Sequence, residues 1–280
     1  MKASDVAELP LPDVAGGWAA GAALWGIGVA ACLWAVWSLE RRRRRSGWLV
    51  EPRPHGPVPW QGVDVAQVFL VALACLMVAA SASDGGPRPV RLAAAIAATC
   101  AATLAGAALL AARGATRADL GFGRGRLRED LALAGTALAL VVAPLLAVAA
   151  ILDRFVPYRH DIIDILADHR DPLSIGLVVV SAVVVAPVAE EFLFRRVLQG
   201  WLERLLPARD GAAAIGLAAA AFALAHLGQG LGFVPLFPFA VVLGILARRT
   251  GSLLPCVLLH GLFNAVSVGL ILAGAAGGTG

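Results

Sequence analysis

Eight stretches of this chain are apolar over a length that calls for a bilayer: Trp18 to Leu39, Val63 to Ala82, Leu92 to Ala112, Leu131 to Leu152, Leu173 to Phe194, Gly211 to Leu227, Phe233 to Ala247 and Leu253 to Ala275. A helix crossing the hydrocarbon core uses about 20 predominantly apolar residues, because its backbone polar groups must all be satisfied within the segment. The sixth and seventh stretches are the shortest. With 59% hydrophobic residues, 15% charged residues and a mean hydropathy of +0.80, the chain departs from the roughly one-quarter-charged balance of soluble domains. The pattern predicts an all-α fold, a polytopic transmembrane helical bundle of about eight spans.

The net charge is +4, but the cations sit between apolar runs instead of forming a continuous patch, so the expected partner is the lipid bilayer and not nucleic acid. Arg41 to Arg45 follow the first stretch, and Arg113, Arg117, Arg124, Arg126 and Arg128 follow the third. Arg195, Arg196, Arg204 and Arg209 follow the fifth, and Arg248 and Arg249 the seventh. Alternate loops are thus basic, and the positive-inside rule assigns them to the cytoplasmic face of a multi-pass cell-membrane protein, with both termini opposite.

The chain divides into an N-terminal tail (1–17), a four-span accessory region (18–152), a polar connector (153–172) and a C-terminal core (173–276). The spans of the accessory region carry almost no ionisable groups beyond Asp64 at an edge, so their expected role is structural. In the connector, Asp161 to Asp168 groups its apolar residues on one helical face, which suggests a helix lying on the outer membrane surface. The four cysteines, Cys32, Cys75, Cys100 and Cys256, all lie within apolar runs without metal-binding spacing and are expected to act as small buried hydrophobes.

Ionisable groups at membrane depth cost a few kcal/mol each and mark candidate functional sites. Glu190 and Glu191 end the fifth apolar run. Glu191 and Arg195 are four apart and share a helical face, so Arg195 is expected to neutralise Glu191; Glu190 points about 100° away with Phe194 at its i+4 position, and is left free to act. Pro187 removes a helical hydrogen bond one turn earlier, clashes with the carbonyl of Val183, and predicts a kink with room for water. His226 ends an alanine-rich run and lies as far after a turn near Ala208 as Glu190 lies before it. An antiparallel hairpin about that turn would therefore set the two at equal depth. His260 and Asn264, the chain's only asparagine, share a face of the last span. Each group alone has a structural reading, a core histidine or a boundary clamp. Their convergence on an otherwise inert bundle is what acid-base work and oxyanion stabilisation require.

At these positions the sequence resembles the CAAX prenyl protease type II family, also called the CPBP or Abi family, which includes lysostaphin-resistance protein A-like membrane proteins. The family's motifs EExxxR, FxxxH and HxxxN/D correspond to Glu190 to Arg195, Phe222 to His226 and His260 to Asn264, in order. Thr250 to His260 is similar to the family's approach to its last motif, and Asp119 to Phe122 to an upstream feature. The resemblance implies an intramembrane endopeptidase in which Glu190 and His226 activate a water while His260 and Asn264 form the oxyanion site. Glu191, Arg195 and Phe222 would then support them. The substrate would be a membrane-associated or prenylated peptide or membrane protein, and no cofactor is expected. Divalent zinc held by Glu190, His226 and His260 stays open as an alternative, although the HExxH signature is absent. A scaffold or bacteriocin-immunity protein that keeps the fold without catalysis is the non-enzymatic alternative. A solute transporter is disfavoured by the lack of inverted repeats and paired broken helices.

Overall fold

A computed structural model describes residues 14–123, 126–156, 171–206 and 211–277. Within them the chain is helical, without strands: α1 (Val14–Ser46), α2 (Gly62–Ala82), α3 (Arg88–Ala112), α4 (Leu127–Asp153), α5 (Pro172–Leu205), α6 (Ala212–Leu224), α7 (Phe233–Thr250) and α8 (Leu254–Gly277). All but α6 are long and apolar enough to span a membrane. Leu24, Ile27, Leu33, Leu70, Met77, Val78 and Leu104 all point outward, while alanines, glycines and polar side chains fill much of the interior. That inversion suits lipid as solvent, where close approach of small residues drives helix packing.

Helix α5 is the axis of the site. It packs on α3, α6 and α8, while α4 packs on α7 and α8 and carries α1 on its outer side. The four-span first half therefore packs directly on the second. It also contributes a buried ion pair that the sequence pattern did not suggest: Asp130, fully buried at the start of α4, lies 2.7 Å from Arg53. Of the cysteines only Cys256 is buried; Cys32 and Cys75 are half-buried and Cys100 is exposed on the lipid-facing side of α3. The expectation of four buried thiols therefore fails for three of them. A thiol costs little against hydrocarbon, so nothing forces it inward.

Three boundaries differ from the apolar pattern. Helix α1 runs through Arg41 to Arg45 to Ser46, because cations stabilise a helix C-terminus and Arg44 bonds Glu40 one turn back at 3.1 Å. Helix α5 continues past Phe194 to Leu205, because Arg195 and Arg196 enter protein and find partners there instead of ending the span. Helix α6 stops at Leu224, after 13 residues. Glycines at 228, 230 and 232, with Gly230 at φ +67°, turn the chain back through a short 3₁₀ segment, Gly230–Gly232. At 1.5 Å per residue α6 is about 20 Å long, shorter than the roughly 30 Å hydrocarbon core that a spanning helix must cross. The surface helix expected at Asp161 to Asp168 and the turn near Ala208 lie outside the described residues, as does the tail before Val14.

The basic segments meet at one end of the bundle. The Arg53 amide donates to the Arg249 carbonyl, a ring nitrogen of His55 lies 2.7 Å from the Arg248 carbonyl, and Arg196 Nε donates to the Asp119 carbonyl. Arg204 donates to the Pro59 carbonyl at 2.8 Å, and the Trp60 indole to the Val197 carbonyl at 3.0 Å. Alternating basic loops therefore share one face of the molecule.

The kink expected at Pro187 takes the form of wide π turns at Ser181–Val185 and Glu191–Gln199, on either side of Ala186–Glu190. The Ala186 amide bonds to the Ser181 carbonyl, five residues back. In that register the donor for the Ala182 carbonyl would be residue 187, a proline with no N–H. Asn264 Nδ2 on α8 takes the place of that donor at 2.8 Å. Beside it, Gly261 lets the α8 backbone touch α5: a Cβ there would stand 2.5 Å from the Val183 carbonyl oxygen. One break in α5 thus fixes where α8 docks. Gly261→Ala should lower stability by about 1–3 kcal/mol through this clash, although Gly to Ala inside a helix normally gains about 1 kcal/mol. Thermal unfolding in detergent reads the sign, and a stabilised variant would refute the docking argument.

Candidate active site

With α8 seated on the break in α5, His260 faces both glutamates. Its Nδ1 lies 2.9 Å from Glu191 Oε1 and its Nε2 lies 3.8 Å from Glu190 Oε2. Glu191 is wholly buried and also accepts from Arg195 Nε at 3.1 Å, the i,i+4 pairing expected from the sequence. The two carboxylates are therefore unequal: Glu191 is held between a guanidinium and an imidazole, while the Glu190 side chain keeps 27% of its surface exposed. Glu191 is fastened on two sides, while Glu190 is half-buried with one long contact, to His260.

Because the Glu191 carboxylate can only accept, His260 Nδ1 carries the proton of their hydrogen bond, and Nε2 is the ring atom presented toward Glu190. The ring is held edge-on by Phe222 and Phe239, with centroids 5.8 and 5.5 Å away. Second partners that orient an imidazole in this way set which nitrogen does chemistry.

Phe222 is the hub of the cluster. Its fully buried ring lies 4.8 Å from that of His226 and 5.1 Å from the Arg195 guanidinium carbon. The early end of α6 explains the position of His226. The His226 amide bonds three residues back to Ala223, which leaves the Phe222 carbonyl to accept from the His226 ring, Nδ1 to oxygen 2.8 Å. A carbonyl cannot donate, so in the neutral ring Nδ1 holds the proton and Nε2 keeps its lone pair. The imidazole in close contact with the Glu190 carboxylate is that of His260.

Asn264 gives one amide hydrogen to Ala182 and has a second to offer. All seven expected site residues, Glu190, Glu191, Arg195, Phe222, His226, His260 and Asn264, thus fall around one junction of α5, α6 and α8. Among the described residues no three His, Cys, Asp or Glu side chains are grouped to hold a metal ion. Glu190, His226 and His260 are not drawn together as such a group.

Several contributors carried little or no sequence signal. Phe239 braces His260 but reads as one more apolar residue of α7. Gln199, buried on α5, donates to the Gly244 carbonyl of α7 at 3.0 Å. The Asp119 to Phe122 segment ties two motif regions together: its Asp119 carbonyl accepts from Arg196, and its Gly121 carbonyl accepts from the Leu253 amide at 3.1 Å. Gly121, at φ +85°, has room only for a hydrogen against Leu253. This segment sets the start of α8 and hence the register of His260.

Residues 172–266 match the family model described as type II CAAX prenyl endopeptidase Rce1-like. No curated protein and no solved structure matches the chain. The matched segment runs from the start of α5 into α8 and contains every residue of the junction.

Proposed function

We propose, from the match of residues 172–266 to the Rce1-like type II CAAX prenyl endopeptidase model, that the chain hydrolyses a peptide bond of a membrane-associated or prenylated peptide inside the bilayer. The reading rests on one observation: Glu190, beside His260 Nε2 at 3.8 Å, is the accessible member of a glutamate pair whose other member is buried and doubly bonded. In this mechanism the Glu190 carboxylate takes a proton from a water as its oxygen attacks the scissile carbonyl carbon. His226, with Nδ1 committed to Phe222, uses the Nε2 lone pair to share that proton. The carbonyl oxygen becomes an oxyanion, stabilised by the second Asn264 amide hydrogen and by His260 Nε2 in its imidazolium form. The proton then passes from Glu190 to the leaving amine as the C–N bond breaks. Every proton move is carried by side chains of the junction, without a metal ion or cofactor.

The basic end of the bundle faces the cytoplasm in this reading, by the positive-inside rule, and the protein sits in the cell membrane. The test is incubation of purified protein with a membrane proteome, comparing wild type with Glu190→Gln and His226→Ala by mass spectrometry of new peptide termini. New termini in wild type alone, undiminished by a chelator, are expected. Equal termini in all three samples would sink the enzyme reading and favour a scaffold that only binds, while loss in chelator would overturn the metal-free step.

A further inference from the structure

A cavity lies at the basic end of the bundle. It is formed by the segment that follows α1 and the facing ends of α6 and α7, and has a volume of about 520 Å³. Arg43, Arg248 and Arg249 line it together with Trp48, and its apolar wall includes Ile215, Val241 and Ile245. No acidic side chain is among the described residues that line it. The Arg249 guanidinium stacks on Trp48 at 4.7 Å, and among the described residues the Arg43 guanidinium has one long acidic contact, 3.8 Å to Glu40. Gly47 and Gly216 lie in its lining, and a Cβ at Gly216 would meet nothing within 4 Å.

We propose that this cavity binds the headgroup of one anionic phospholipid. Three properties support that occupant together. Arg43 and Arg249 present charged donors suited to phosphate oxygens, while Arg248 is paired with Glu203 at 3.2 Å. The wall continues onto the exposed face of α6 and α7, where Leu217, Ile245 and Phe237 would meet acyl chains. Trp48, 44% exposed, stands beside a cationic cluster at the end of a span, the level at which headgroups lie. Basic pockets between membrane helices are known to take anionic headgroups. A soluble anion would satisfy the arginines but leave the apolar wall unused. None of the seven junction residues lines the cavity, so the inference does not depend on peptide hydrolysis.

The experiment is native mass spectrometry of the full chain in detergent with added phosphatidylglycerol or phosphatidylcholine. Wild type should retain phosphatidylglycerol preferentially. The double variant Arg43→Gln/Arg249→Gln should lose that preference by about tenfold or more, at about 1 kcal/mol for each arginine removed. Gly216→Leu, which adds a bulky side chain at the cavity wall and raises helix propensity, should weaken it too. Arg41→Gln/Arg42→Gln removes the same charge just outside the cavity and should retain most of it. Circular dichroism and thermal unfolding confirm that each variant is folded. Equal retention of the two lipids by wild type, an unaffected Gly216→Leu, or an equal loss in Arg41→Gln/Arg42→Gln would overturn the site.

Discussion

Glu190→Gln should lower peptide cleavage by about 10²–10⁴-fold, the usual contribution of a general base, while leaving thermal stability almost unchanged. The reasoning rests on how loosely this side chain is held. Its contact with His260 Nε2 is 3.8 Å and its surface is 27% exposed, so a neutral amide of the same shape breaks no buried bond. It does remove the group proposed to take the proton from water. Glu191→Gln gives the informative contrast. There the lost charge faces both Arg195 and His260 at hydrogen-bond distance in a fully buried setting, so activity and stability should fall together. Turnover with a purified substrate, measured beside unfolding in the same detergent, separates the two. A Glu190→Gln enzyme that kept more than about a tenth of wild-type activity would remove the assignment.

Arg195→Met should cost about 3–5 kcal/mol of stability. Both side chains of the Arg195–Glu191 pair are fully buried, and truncating one partner leaves the other as an uncompensated buried charge. The arginine also covers the Phe222 ring, so its loss loosens the hub between His226 and His260. The double variant Arg195→Met/Glu191→Gln should recover part of the loss, because it removes the orphaned charge as well as its partner. Additive destabilisation in the double variant would show that the pair is not coupled. If stability returns in the double variant while turnover does not, Arg195 and Glu191 act by positioning His260.

The bundle was legible in the order of apolar runs because lipid imposes a length on every span. Contacts among the described parts of the basic segments bring them to one end. The candidate residues were legible because a buried ionisable group is costly enough to stand out; Glu190 lies beside His260, and both imidazoles pack on Phe222. Spacing along a helix also found the Glu191–Arg195 pair, since that contact is local. Less legible were events that depend on a neighbouring helix. The end of α5 could not be placed from its arginines, because their charge is absorbed by Glu191 and by the Asp119 carbonyl, the latter far away in sequence. The hairpin symmetry about Ala208 pointed to Glu190 and His226 as a pair, yet His260 is the imidazole in close contact.

What the sequence alone determined is the inventory: the number of apolar helices, their alternating polarity at the ends, and the few polar groups buried among them. These follow from local rules, the length of a span and the cost of a charge in hydrocarbon. The division of labour between two adjacent glutamates was decided only by tertiary structure. Pro187 frees the Ala182 carbonyl, Asn264 takes it, Gly261 lets α8 close on α5, and His260 arrives against Glu191 with its other nitrogen turned toward Glu190. Which carboxylate is fastened and which stays open depends on a partner 69 residues away, and no periodicity within one helix can encode that.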